Sequence, residues 1–98
     1  MYVGWALFDV VLPEHVSSLK DKRSFVRPLV AALRKFDVSV AEVGSLELWR
    51  RAEVGVSVVA ADAGHVRSVL DGCERLVAER PELELLSART HIGSSEDD

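Results

Sequence analysis

The sequence predicts an α+β sandwich in which two helices cover one face of a four-stranded antiparallel sheet, with the element order βαββαβ. Two observations carry that prediction. The hydrophobic pattern switches cleanly between strand-like alternation and helical three-to-four spacing, and the segments so defined follow one another through short links in split βαβ order. The 98 residues, 48% hydrophobic and 29% charged, suffice to bury roughly two thirds of the unfolded surface in one core.

Residues 2–12 read as the first strand. One side carries Tyr2, Gly4, Ala6, Phe8, Val10 and Leu12, all apolar or small, and the other Val3, Trp5, Leu7, Asp9 and Val11. Pro13 ends it. Ser18, three residues before Asp21, resembles a capping box and opens a helix through about Phe36, with Val26, Leu29, Val30 and Leu33 as its buried stripe. Pro28 falls on the outward side of that helix, where water can satisfy the Ser24 carbonyl, so a kink is expected and not a break. Residues 38–43 form the second strand and 53–61 the third, joined by the polar stretch SLELWRR. Asp62 caps a second helix with the stripe Val66, Val69, Leu70, Cys73, Leu76 and Val77, and Pro81 stops it. A last strand spans residues 83–92, where the adjacent Leu85 and Leu86 suggest a bulge or a change of face. The whole is one ferredoxin-like domain over residues 1–92, followed by an acidic tail at 93–98 expected to be disordered.

Several function classes drop out. The apolar start lacks a basic leader and holds Asp9 at its centre, so it reads as a strand and not a signal peptide; charge interrupts every apolar run before it could span a membrane. A lone cysteine, Cys73, rules out an internal disulfide and a cysteine-based zinc site, and points to a reducing compartment, the cytoplasm. Within its apolar stripe it reads as a buried, inert thiol. His15, His65 and His91 fall on a loop, a helix start and a late strand without ligand spacing, so no metal is expected. Glycine-rich phosphate motifs and a nucleophile elbow are missing, and neither a cofactor nor a catalytic residue is assigned. Asp9, Glu42 and Glu53 could meet across strands as an acid/base set, although spaced strand carboxylates usually mark the solvent side.

Charge is more informative. The formal net of −4 hides a segregated distribution: residues 14–36 hold six cations against Glu14 and Asp21, whereas residues 37–98 hold thirteen acids against six arginines. On a helix Lys20, Arg23, Arg27 and Arg34 make one row flanking the buried stripe, with no acid interrupting it. Lys22 is an outer candidate only. On the second helix Asp71 lies four before Arg75 and Glu79 four after, so charge can be compensated locally. The contrast argues for an external anion, though an amphipathic helix also snorkels its arginines beside a buried stripe. Trp49, Arg50 and Arg51 combine a stacking surface with two cations, as in readers of single-stranded nucleic acid; a Trp closing one end of the core would look the same.

SLKDKR at 18–23, VSVAEV at 38–43, LWRRAEVGVSVV at 48–59 and the D-x-x-HV-x-x-VLD run at 62–71 together resemble the YlxP-like family of small bacterial proteins. The four motifs are collinear and, with the first strand, span nearly the whole chain. Pro28 and the apolar Trp5, Leu7 and Val11 depart from the family's pattern. The resemblance implies a ferredoxin-like fold and brings no assigned activity; genes of this family commonly neighbour those for transcription elongation, translation initiation factor two and ribosome-binding factor A, which implies a role linked to translation or ribosome maturation.

The expectation is a non-enzymatic accessory protein that contacts structured RNA or a ribosomal particle through Lys20, Arg23, Arg27, Arg34, Trp49, Arg50 and Arg51, with no DNA or membrane partner. The alternative is a homodimeric interaction or small-ligand-sensing module without nucleic acid. A homodimer is expected on separate grounds. Burying Asp9 without a partner is costly, so the Asp9 side of strand one must face away from the helices, leaving Trp5, Leu7 and Val11 as an apolar patch for a second copy to cover.

Overall fold

A computed structural model describes residues 1–96. Its elements are β1 (Tyr2–Val11), α1 (Leu19–Arg34), β2 (Ser39–Gly44), β3 (Arg51–Ala60), α2 (Ala63–Ala78) and β4 (Glu84–Ser94). The sheet order is β2-β3-β1-β4, antiparallel at every pairing. This is the ferredoxin-like βαββαβ arrangement.

β1 is the central strand. It pairs with β3 from Tyr2↔Ala60 to Val11↔Arg51 and with β4 from Tyr2↔Ser94 to Val11↔Glu84. Its parity is the one the alternation predicts: Gly4, Ala6, Phe8 and Val10 are buried beneath the helices, while Val3 and Trp5 are exposed on the far side. α2 lies over β1, β3 and β4, and α1 over β2 and β3. Between the layers sit Phe8, Leu29, Leu33, Val54, Val66, Leu70 and Val77, all nearly or fully sealed from solvent. Helix and sheet pack tightly at Gly4, where an added Cβ would run into Val66 and Leu70 of α2.

The helix ends follow local chemistry. Ser18 Oγ accepts the Asp21 N–H at 3.0 Å, and the Asp21 carboxylate reaches back to the Ser17 N–H and hydroxyl, one residue further upstream than a capping box would place it. α1 runs unbroken through the exposed Pro28, tightens through Lys35 and Phe36, and stops at Asp37, whose φ of 59° lies in the left-handed region. Asp62 caps α2 by accepting the Gly64 N–H at 2.8 Å.

β3 begins at Arg51, two residues before the expected start, which takes Arg51 out of the loop and into the ladder opposite Val11. β4 carries the suggested bulge: Asp9 pairs with Ser87 and Val10 with Leu85, leaving Leu86 unmatched. It also continues to Ser94, so Gly93 and Ser94 belong to the sheet, and Ser95 N–H donates to Met1 O at 2.8 Å. Of the tail, residues 97 and 98 lie outside those described.

The contact at Gly4 makes a direct prediction. Gly4→Ala should lower stability by about 1–3 kcal/mol through overpacking against α2, measured as a shift of the urea midpoint with an unchanged slope.

Candidate nucleic-acid interface

α1 presents its charges in two directions. Lys20, Arg23 and Arg27 are exposed and line one shallow outward depression of about 490 Å3 with Ser24 and Pro28. Arg34, also exposed, stands in the last turn, so the row extends about 21 Å along the axis at 1.5 Å per residue. None of the four makes an ion pair among the described residues, which form only Lys22–Glu42, Arg51–Asp9 and Arg80–Glu82. Arg75 on α2 likewise makes none, but acids sit one helical turn to either side of it, whereas in the α1 row only Arg34 has an acid one turn away, Asp37 just past the helix end.

Lys22 is not an outer cation. It is 3% exposed, its Nζ lies 2.8 Å from Glu42 Oε2, and it donates to Ser45 O at 2.8 Å. Residues 22, 26, 29 and 33 are the buried positions of α1, so Lys22 continues the apolar stripe by one turn and its amine needs a partner. Glu42 supplies it from the helix-facing side of β2. The amine thereby fastens α1 to the first residue of the loop that carries Trp49.

The second part of the expected interface is divided. Trp49 and Arg50 are exposed, and the Arg50 carbonyl accepts the Leu12 N–H at 2.9 Å. Arg50 borders a depression that Glu14, Glu82 and Glu84 also line. Arg51 is on the open face of the sheet, where its guanidinium forks onto Asp9, Nη2 to Oδ2 at 2.6 Å and Nε to Oδ1 at 3.3 Å. A cation held by two bonds to a carboxylate is compensated, so Arg51 is removed from the candidate phosphate contacts.

That pairing also decides the acid/base question. Asp9 and Glu53 face each other in the β1–β3 register, but Asp9 is taken by Arg51, Glu53 accepts the Ser45 hydroxyl at 3.2 Å, and Glu42 is on the opposite side of the sheet with Lys22. The three do not converge. Cys73 is buried and desolvation pushes its thiol up to about 11, which removes the thiolate a nucleophile needs. His15 meets the edge of Phe25 and His91 lies beside Trp5; no cluster of three metal-ligating side chains occurs among the described residues, and no helix among them is long and apolar enough to cross a membrane.

A family model described as "Protein of unknown function (DUF503)" matches residues 3–90. The chain belongs to this family. The uncharacterized protein YlxP of Bacillus subtilis (strain 168) is similar to it, 26% identical over 89 residues that cover 90% of this chain and 96% of that protein. The motifs at 18–23, 38–43, 48–59 and 62–71 all fall within the matched span, so the resemblance to the YlxP-like family holds. With the fold in view, SLKDKR is the α1 cap plus the inward Lys22 and outward Lys20 and Arg23, and VSVAEV is the strand that presents Glu42 to Lys22.

Two predictions follow from the buried groups. Lys22→Ala, which strands Glu42, should cost about 2–3 kcal/mol, less than a fully buried pair because Glu42 is partly solvated; Lys22→Met with Glu42→Leu should recover most of it in chemical denaturation. The Cys73 thiol should be inert to an aromatic disulfide reagent in the native protein and react at once in denaturant, read by thiolate release.

Proposed function

We propose that this protein is a non-enzymatic accessory factor that binds structured RNA or a ribonucleoprotein through the outer face of α1, in a role linked to translation or ribosome maturation. The observation that carries the reading is the row Lys20, Arg23, Arg27 and Arg34, exposed and without ion-pair partners on a chain of net charge −4. Lysine and arginine without acidic neighbours meet phosphates at the least cost in broken ion pairs. The acidic remainder of the chain repels the rest of a polyanion, so binding is confined to one stripe and depends steeply on salt.

Trp49 adds a stacking surface to the row, whereas Arg50 borders Glu14, Glu82 and Glu84 and stays outside it. Their loop starts at Ser45, whose carbonyl accepts the Lys22 hydrogen bond from α1, and Trp49 within it offers an exposed indole. Such a ring stacks on an unpaired base beside a phosphate-bound helix.

Co-sedimentation with ribosomal particles and mobility shift on ribosomal RNA fragments test this. Wild-type protein should bind at low salt. Arg23→Glu with Arg27→Glu should weaken binding at least tenfold and flatten the salt dependence by about one unit of slope per lost contact, while Arg75→Glu on α2 should bind as wild type. Failure of the wild type to bind at low salt, or equal behaviour of both variants, would overturn the proposal.

A further inference from the structure

The far side of the sheet is independent of α1 and carries a different signal. Four of the exposed large apolar residues, Val3, Trp5, Val43 and Val59, share it. Val43 follows Ala41 onto it by alternation and sits at a second bulge, Glu42 pairing with Val54 and Gly44 with Glu53 so that Val43 is unmatched, and its methyls stand over Gly55. Between Trp5 and Leu7 on one flank and Val43 on the other is a shallow depression of about 370 Å3, floored by Ala41, Gly55 and Ser57. Trp5 itself is 42% exposed and leans toward His91, ring centroids 6.0 Å apart. A large side chain thus stands beside a hole made by small ones.

We infer that this face binds a second copy of the chain, each Trp5 seated in the depression of the other. The registers specify how. Trp5 pairs with Ser57, and Leu7 with Gly55, across the two central strands. A two-fold axis parallel to the strands and midway between β1 and β3 exchanges those strands without changing the row, and so lays Trp5 of each copy over Ser57 and Gly55 of the other. Sheets stack about 10 Å apart, a gap filled by one large and one small side chain, which is the combination this operation produces at both ends. An isologous contact needs such self-complementarity; an unrelated partner would not.

Size and charge agree with a second copy. Three strands of ten or eleven residues and one of six, spaced about 4.8 Å apart and rising about 3.3 Å per residue, present roughly 570 Å2 in projection, which side-chain relief brings toward the about 800 Å2 per partner of a standard interface. The same operation sets β4 over β2. It lays Arg89, which has no ion-pair partner among the described residues, over Ala41 of the other copy, one row and one strand from that copy's Glu53, while Asp9 is already neutralised by Arg51.

Sedimentation equilibrium across the micromolar range tests the pairing with the full chain. The wild type should reach the mass of two copies. Trp5→Glu should be monomeric with unchanged far-ultraviolet circular dichroism. Gly55→Leu is the sharper variant: Gly55 has no positive φ, and an added Cβ meets only the Val43 methyls, 3.4 and 3.5 Å away, and the Ala41 carbonyl at 4.0 Å. The monomer therefore accommodates it while the hole is filled, and dimerisation should weaken at least about thirtyfold. In a Trp49→Phe background, Trp5 emission should shift to the blue as concentration rises. A wild type that stays monomeric, or a Gly55→Leu protein that pairs as tightly as wild type, would overturn the inference; Arg23→Glu with Arg27→Glu should leave the dimer intact, which separates this result from the RNA reading.

Discussion

β1 is hydrogen-bonded along its whole length on both sides, to β3 and to β4, so the alternation of its ten side chains dictates what every other element must face. A slip of one residue would carry Asp9 and Trp5 into the core and Phe8 into water. Only one parity keeps the carboxylate of Asp9 near solvent, and that parity puts Gly4 and Ala6, the smallest side chains of the strand, directly under α2. The close seating of α2, the commitment of Arg51 to Asp9 and the exposure of Val3 and Trp5 on the open face are all consequences of that choice.

The fold was legible because its strongest signals are local. Alternation over residues 2–12, the Asp62 cap, Pro13 and Pro81 as stops, and the paired Leu85 and Leu86 each act within a few residues, and each is found where the pattern put it. Less legible were features that depend on pairings distant in sequence. Arg51 looks like a loop cation until β3 is placed beside β1, when Asp9, 42 residues away, becomes its neighbour. Lys22 is an instructive miss: its spacing of four from Val26 belongs to the buried stripe, but a lysine there reads as surface until Glu42 is known to point inward from β2. Of the expected interface, the exposure of Lys20, Arg23, Arg27 and Arg34 could be read from helical geometry alone, whereas the fate of each cation in and beside the Trp49 loop could not.

The molecule separates its two unsatisfied surfaces. A row of cations without ion pairs lies on the outer side of α1 and an apolar patch around Trp5 on the far side of the sheet, with the hydrophobic core between them. The buried Lys22–Glu42 pair sits on the boundary and fixes the rotation of α1 about its axis, so the neighbouring Lys20 and Arg23 are held outward. An ion pair that contributes little net stability can still set the direction of every charge on its helix.

Both outer strands are irregular: β2 carries the unmatched Val43 and β4 the unmatched Leu86. A bulge bends its strand, raises the local twist and interrupts the even row of amide and carbonyl groups that a further strand would need. Lateral growth of the sheet, the route to ribbons and fibrils, is therefore discouraged at each margin. Two unmatched residues thus guard the margins of the sheet at almost no cost in length.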